Sequence, residues 1–71
     1  MAQKPDKVTA EFYSDALLVG LVGAVDLPAK RMIEAAEIIG KAICRVLHLD
    51  LLETVFISAG GETIDRIVVH R

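Results

Sequence analysis

Hydrophobic and polar residues alternate with a period of two near the start of the chain. Val8, Ala10 and Phe12 are separated by Thr9, Glu11 and Tyr13, a pattern typical of a half-buried strand. Ser14-Asp15 has turn chemistry. The following segment, "ALLVGLVGAV", is apolar on both faces of a strand, and its two glycines permit a bulge. The pattern predicts a first hairpin whose second strand is apolar on both sides.

A long amphipathic helix is predicted next. Asp26 is a natural N-cap, and Pro28 suits the first turn. Apolar residues then recur at helical spacing over five to six turns: Met32, Ala35, Ala36, Ile39, Ala42, Ile43, Val46 and Leu47. The opposite face is polar: Lys30, Glu34, Glu37, Lys41, Arg45 and His48. Gly40 costs roughly 1 kcal/mol relative to alanine in a helix, so we interpret the small residues Ala35, Ala36 and Gly40 as a site of close packing.

A second hairpin is predicted at the end of the chain. Gly60-Gly61 can adopt the positive φ values of a two-residue turn. That loop implies three opposing pairs: Leu52 with Val69, Val55 with Arg66, and Ile57 with Ile64. The predicted fold is therefore α+β, a ββαββ two-layer sandwich with a four-stranded antiparallel sheet and one helix on one face. Residues 8–71 form this single domain, and residues 1–7 form a flexible tail.

The composition indicates that this fold needs a partner. The chain has 71 residues, of which 54% are hydrophobic, and one helix covers only one face of the sheet. Its single cysteine, Cys44, excludes an internal disulfide. Since burying one aliphatic side chain is worth about 1.5–3 kcal/mol, we expect self-assembly into a homodimer or tetramer through the other face or an edge of the sheet. The candidate interface residues are Leu18, Val22, Ala35, Ala36, Ile39, Gly40 and Ile43.

Charge and targeting signals narrow the class of protein. The net charge is −2, and the basic residues are scattered, which weighs against nucleic-acid binding. The longest nearly apolar run, Ala16 to Val25, is about half of what a membrane-spanning helix requires. The polar amino terminus lacks the apolar core of a signal peptide. We therefore expect a cytoplasmic protein.

No combination of residues predicts catalysis, a metal or a cofactor. His48, Asp50 and Glu53 lack the spacing of a helical ligand set. Cys44 and His48 lie four residues apart, but no acid or oxyanion donor accompanies them. "SAGGE" joins two predicted strands, whereas a phosphate-binding loop precedes a helix. We expect a non-catalytic protein.

From about Ser14 to Arg71 the chain resembles the Roadblock/dynein light chain family. The similarity runs through "SDALLVGLVG", "AKRMIEAAEIIGKAICRVL" and "HLDLLETVFISAGGETIDRIVV". The resemblance implies a profilin-like layer fold and a homodimer with side-by-side helices and joined sheet edges. It also implies a scaffold or regulator of small Ras-like GTPases, with no catalytic residues. The family usually has an additional amino-terminal helix and a further strand and helix at the end, for which this chain has no room. In the family those helices cover the sheet face opposite the central helix.

Two alternatives come from other classes. "IEAAEIIGKAI" followed by a hairpin is similar to Alba-like nucleic-acid-binding proteins, but those are basic and use a lysine-rich loop. The other alternative is an oligomeric small-molecule-binding or enzymatic protein with its site between subunits. Salt-sensitive nucleic-acid binding would support the first of these, and ligand bound at a subunit junction would support the second.

Overall fold

Four antiparallel strands and one helix follow one another in the order β-β-α-β-β. The computed structural model describes residues 7–71. The elements are β1 (Lys7–Ser14), β2 (Leu17–Val25), α1 (Ala29–Leu47), β3 (Leu51–Ala59) and β4 (Glu62–His70). The strands form one sheet in the order β2-β1-β3-β4, which confirms the predicted fold class. Most of the predicted tail lies outside the described residues, and Lys7 begins β1.

The core lies between α1 and the two central strands. On β1, Val8, Ala10 and Phe12 are buried, while the residues between them are partly exposed. The alternation predicted from the sequence is therefore correct. The helix packs on β3, β1 and β4 and makes little contact with β2. The buried hydrophobic residues are Val8, Ala10, Phe12, Met32, Ala36, Cys44, Leu52, Val55, Ile57 and Val69.

The first hairpin turns one residue later than predicted. Asp15 and Ala16 form the loop, with φ of 54° and 63°, and Ser14 pairs with Leu17. Two residues with positive φ are the geometry of a type I′ turn, which matches the twist of the flanking strands. Ala16 pays a steric cost here because its Cβ disfavours the left-handed region.

The helix begins and ends differently from the prediction. Pro28 is the N-cap, with no side-chain cap hydrogen bond, so the prediction that Asp26 caps the helix is wrong. Asp26 instead adopts a φ of 62°. At the other end His48 has a φ of 57°, and the Leu49 N–H donates to the Cys44 carbonyl at 2.8 Å. This is the arrangement of a Schellman motif, in which glycine is the usual residue at the left-handed position.

The second hairpin has the predicted loop and a different register. Gly60 and Gly61 have φ of 60° and 86°, and Leu52 pairs with Val69 as expected. The other two predicted pairs are wrong, because Val55 pairs with Ile67 and Ile57 with Asp65. Without the register shift between Ile57 and Ser58, Arg66 would oppose Val55 on the side that faces the helix. The shift places Ile67 there instead and moves Arg66 opposite Phe56, on the other face of the sheet.

Gly40 has a packing role within a single chain. It is buried on α1, and an ideal Cβ built there would lie 2.9 Å from Val69 Cγ1 and 3.1 Å from both Val69 Cβ and Cγ2. The absence of a side chain at Gly40 therefore lets the helix approach β4. The close approach predicted for the small residues is made, at Gly40, to the chain's own sheet.

Candidate interaction surface

The two edge strands of the sheet differ sharply in chemistry. β2 reads LLVGLVGAV and contains no charged residue. β4 reads ETIDRIVVH, and its Glu62, Asp65 and Arg66 are all exposed. Charged side chains on an edge strand oppose pairing with another chain. By this criterion β4 is protected against edge pairing and β2 is not.

Exposed aliphatic side chains are concentrated on the same side of the molecule. Nine large hydrophobic residues are exposed in the described part of the chain. Only two of them, Ile64 and Val68, lie on β4. The other seven lie on β2 or α1: Leu17, Leu18, Leu21, Val25, Ile38, Val46 and Leu47. The apolar excess expected from the composition is therefore found mainly at one edge of the molecule.

An open apolar groove runs between α1 and β2. It encloses about 360 Å³, and it exists because α1 lies over the other three strands. Its lining residues are all aliphatic: Val19, Ile38, Ile39, Ala42, Ile43, Val46 and Leu47. On the helix, Ile38 and Val46 are the most exposed members, at 72% and 75%. We call the β2 strand together with this lining the β2 surface.

The predicted interface residues fall into two groups in the structure. Leu18 is exposed on β2, Val22 is half-buried beside it, and Ile39 and Ile43 line the groove. Ala35 is half-buried, whereas Ala36 and Gly40 are buried against the chain's own sheet. The buried pair offers no surface to a partner. The interface role of the other residues stays a prediction.

Sequence reasoning did not select several residues of the β2 surface. The exposed members that it missed are Leu17, Leu21, Val25, Ile38, Val46 and Leu47. The lack of charge along the whole of β2 is visible in the sequence and could have identified the three that lie on that strand, Leu17, Leu21 and Val25. Ile38 and Val46 lie at the margins of the apolar stripe of α1. Their exposure depends on where the helix crosses the sheet, which the sequence pattern does not specify.

The open face of the sheet carries polar and aromatic side chains at its centre. The rings of Tyr13 and Phe56 meet edge to face, with centroids 5.6 Å apart. The Tyr13 hydroxyl donates to Glu11 Oε1 at 3.2 Å. Desolvation raises the pKa of Tyr13, and the hydrogen bond and negative charge of Glu11 raise it further. The polar residues Thr9 and Ser58 flank this group. The centre of the open face is therefore less hydrophobic than the edge at β2 and has less need of a partner to bury it.

A loop contact closes one end of this open face. The Asp15 backbone N–H donates to Glu53 Oε1 at 3.1 Å. Asp15 and Glu53 line a shallow depression together with Tyr13, Ala16, Thr54 and Phe56. The hydrogen bond holds the first turn against β3, which gives Glu53 a structural role.

Cys44 and His48, which lie four residues apart in the sequence, differ in their exposure. Cys44 is fully buried, and His48 is exposed at the end of the helix. Residues 7–71 contain no group of three or more His, Cys, Asp or Glu side chains placed to hold a metal ion. Within the same residues, α1 is not long and apolar enough to cross a membrane.

Comparison with known proteins gives no relative for this chain. No family model, no curated protein and no solved structure matches it.

Proposed function

We propose that this protein is a non-catalytic interaction module that assembles with a second copy of itself through the β2 surface. The observation that carries the proposal is the contrast between the two edges of the sheet. β2 is an edge strand that has exposed aliphatic side chains and no charged residue, whereas β4, the other edge strand, carries Glu62, Asp65 and Arg66. An exposed, hydrophobic edge strand without charged side chains is prone to pair with another chain.

The chemistry of β2 favours a second copy as the occupant. In a symmetric dimer each residue of the surface meets the same surface on the other subunit. A charged edge would therefore face its own charge, and β2 avoids this because it has no ionisable side chain. A neutral aliphatic strand can pair with an identical strand. A second copy of the chain is also present wherever the protein is, at the protein's own concentration.

The exposed aliphatic area approaches that of a stable dimer interface. If each of the seven exposed aliphatic side chains presents roughly 100 Å² of apolar area, the surface offers on the order of 700 Å² per protomer. This is close to the ~800 Å² that each partner contributes to a stable interface. The backbone of β2 adds strand-to-strand hydrogen bonds along the edge.

The resemblance to the Roadblock family supports a scaffold role for such a dimer. Proteins of that family act as homodimers without catalytic residues. A small Ras-like GTPase as a further partner stays a prediction that rests on the resemblance alone.

The test compares one substitution at each edge. Leu21 on β2 and Val68 on β4 are both exposed, at 61% and 54%, so lysine at either position should leave the fold intact. Leu21→Lys places two like charges across the proposed interface and should weaken self-association by at least tenfold. Val68→Lys is the matched control and should assemble as the unmodified protein does. Association constants come from sedimentation equilibrium or light scattering.

Three outcomes decide the proposal. Selective loss of assembly in Leu21→Lys supports the β2 surface. Selective loss in Val68→Lys would move the interface to β4 and overturn the assignment. Equal assembly in both variants would show that neither edge carries the contact, and the β2 proposal would then be wrong.

A further inference from the structure

We infer that two copies pair antiparallel along β2 with Leu21 opposite Leu21, so that their sheets join into one eight-stranded sheet. This inference rests on the proposed function and specifies the register of the same interface. Leu21 is the fifth of the nine residues of β2. Pairing centred on it runs along most of the strand in both copies.

The faces of the sheet limit which registers are possible. When two sheets join edge to edge about a two-fold axis, both helices lie on the same side, and opposed residues point to the same face. Gly20 and Val22 pair with the buried residues Phe12 and Ala10 of β1, so they point toward α1. Leu21 pairs with Glu11 and points to the open face. A register that opposes Leu21 to Val22 is therefore excluded.

Centring on Leu21 sets large residues against small ones. Val22 of one copy then opposes Gly20 of the other. Val19 is the extra residue at the bulge, since Phe12 pairs with Gly20 and Tyr13 with Leu18. When the bulge is allowed for, the outer pairs are Leu18 with Gly23 and Leu17 with Ala24. These pairs also share a face, so each bulky side chain outside the axis has room beside a small one.

The neighbouring permitted registers fit less well. Centring on Val22 opposes Val22 to itself and places Leu18 against Val25. Centring on Gly20 puts two glycines at the axis, where no side chain fills the space. The order of small and large residues in β2 therefore favours Leu21 at the axis.

Cysteine substitution measures the register directly. The unmodified chain is a suitable background because Cys44, its only cysteine, is fully buried. Three single variants are compared under mild oxidation: Leu21→Cys, Val22→Cys and Val25→Cys. At the axis, directly opposed Cβ atoms lie about 4.5–5.5 Å apart, within reach of a disulfide after small adjustment.

We expect Leu21→Cys to form a covalent dimer at least tenfold faster than the other two variants, as measured by non-reducing electrophoresis. In this register the two Val22 positions are offset by two residues, about 7 Å along the strands, and the two Val25 positions by about 27 Å. Neither pair can be bridged without backbone movement. The unmodified chain should stay uncrosslinked and is the control.

The outcomes separate the register from the proposed function. Fastest crosslinking of Val22→Cys would overturn the Leu21 register and leave edge pairing through β2 in place. Slow crosslinking of all three variants in a protein that light scattering shows to be dimeric would also overturn the Leu21 register, and the Leu21→Lys comparison would then decide whether β2 pairs at all. Monomers of all three variants and of the unmodified chain at micromolar concentration would overturn the proposed function itself.

Discussion

Replacing Gly40 by alanine should destabilise the protein, although alanine is the better helix former. The substitution raises the intrinsic helix stability by about 1 kcal/mol. The added Cβ, however, would lie 2.9 to 3.1 Å from three atoms of Val69. Val69 is 3% exposed, and its β-branched side chain has one strongly limited set of rotamers. It cannot rotate away from the new methyl group.

The magnitude follows from these two opposing effects. Overpacking a filled core costs typically about 1–3 kcal/mol, which exceeds the propensity gain of about 1 kcal/mol. We therefore expect Gly40→Ala to lower the free energy of unfolding by about 1 kcal/mol. When Val69→Ala has already removed the obstructing groups, the same substitution should raise the free energy of unfolding by about 1 kcal/mol. The coupling between the two sites would then be about 2 kcal/mol, within the usual range for residues in contact.

The assay is a double-mutant cycle measured by urea unfolding. All four proteins are compared at one protein concentration, because self-association contributes to apparent stability. If Gly40→Ala stabilises the unmodified background, the close packing of α1 on β4 is refuted.

Three further outcomes are expected. Ala16→Gly should raise the free energy of unfolding by about 0.5–1 kcal/mol, and Gly61→Ala should lower it by about 1 kcal/mol, because both residues have positive φ. Changes of the opposite sign in thermal unfolding would contradict the turn assignments. His48→Gly should raise the free energy of unfolding by about 0.5–1 kcal/mol, because glycine adopts the left-handed conformation at the helix C-terminus more easily. A decrease in that free energy, measured by chemical denaturation, would contradict this. Ultraviolet titration of Tyr13, the only tyrosine, should give a pKa above 10.0, and Glu11→Gln should bring it closer to that value. Since this pKa is higher in the folded chain, stability should fall as pH rises through it; an unchanged pKa in Glu11→Gln would show that Glu11 does not act on Tyr13.

The sequence pattern predicts the order and type of all five elements because their periodicities are distinct. Val8, Ala10 and Phe12 repeat every second residue and are buried on one side of β1, while the apolar residues of α1 follow helical spacing. Gly60-Gly61 is equally informative, because few other dipeptides accept two positive φ values.

The register of a strand and the exact start of a helix are not predictable in the same way, because several local features compete to determine them. The register of β4 illustrates this, because a bulge moves Arg66 away from the core and brings Ile67 into it. Asp26 is a good N-cap by type, yet the chain enters the helix through Pro28. Both outcomes depend on how the elements meet in three dimensions.

The sequence predicts that the protein has an exposed apolar surface, but it does not predict where that surface lies. Excess apolar composition indicates a partner, but the position of α1 over β1, β3 and β4 determines which edge is left exposed. Gly40 shows the difference, because its small size suggests close packing and the structure supplies the contact from Val69 in the same chain. The exposed residues Ile38 and Val46 could be assigned only once the position of α1 over the sheet was known.

The mass of the unmodified protein in solution tests the central claim most directly. The chain has a mass of 7.7 kDa, and light scattering across a micromolar concentration series should give twice that value or a higher even multiple. A mass of 7.7 kDa throughout the series would mean that the aliphatic edge formed by β2 is tolerated in water, and it would contradict assembly through the β2 surface.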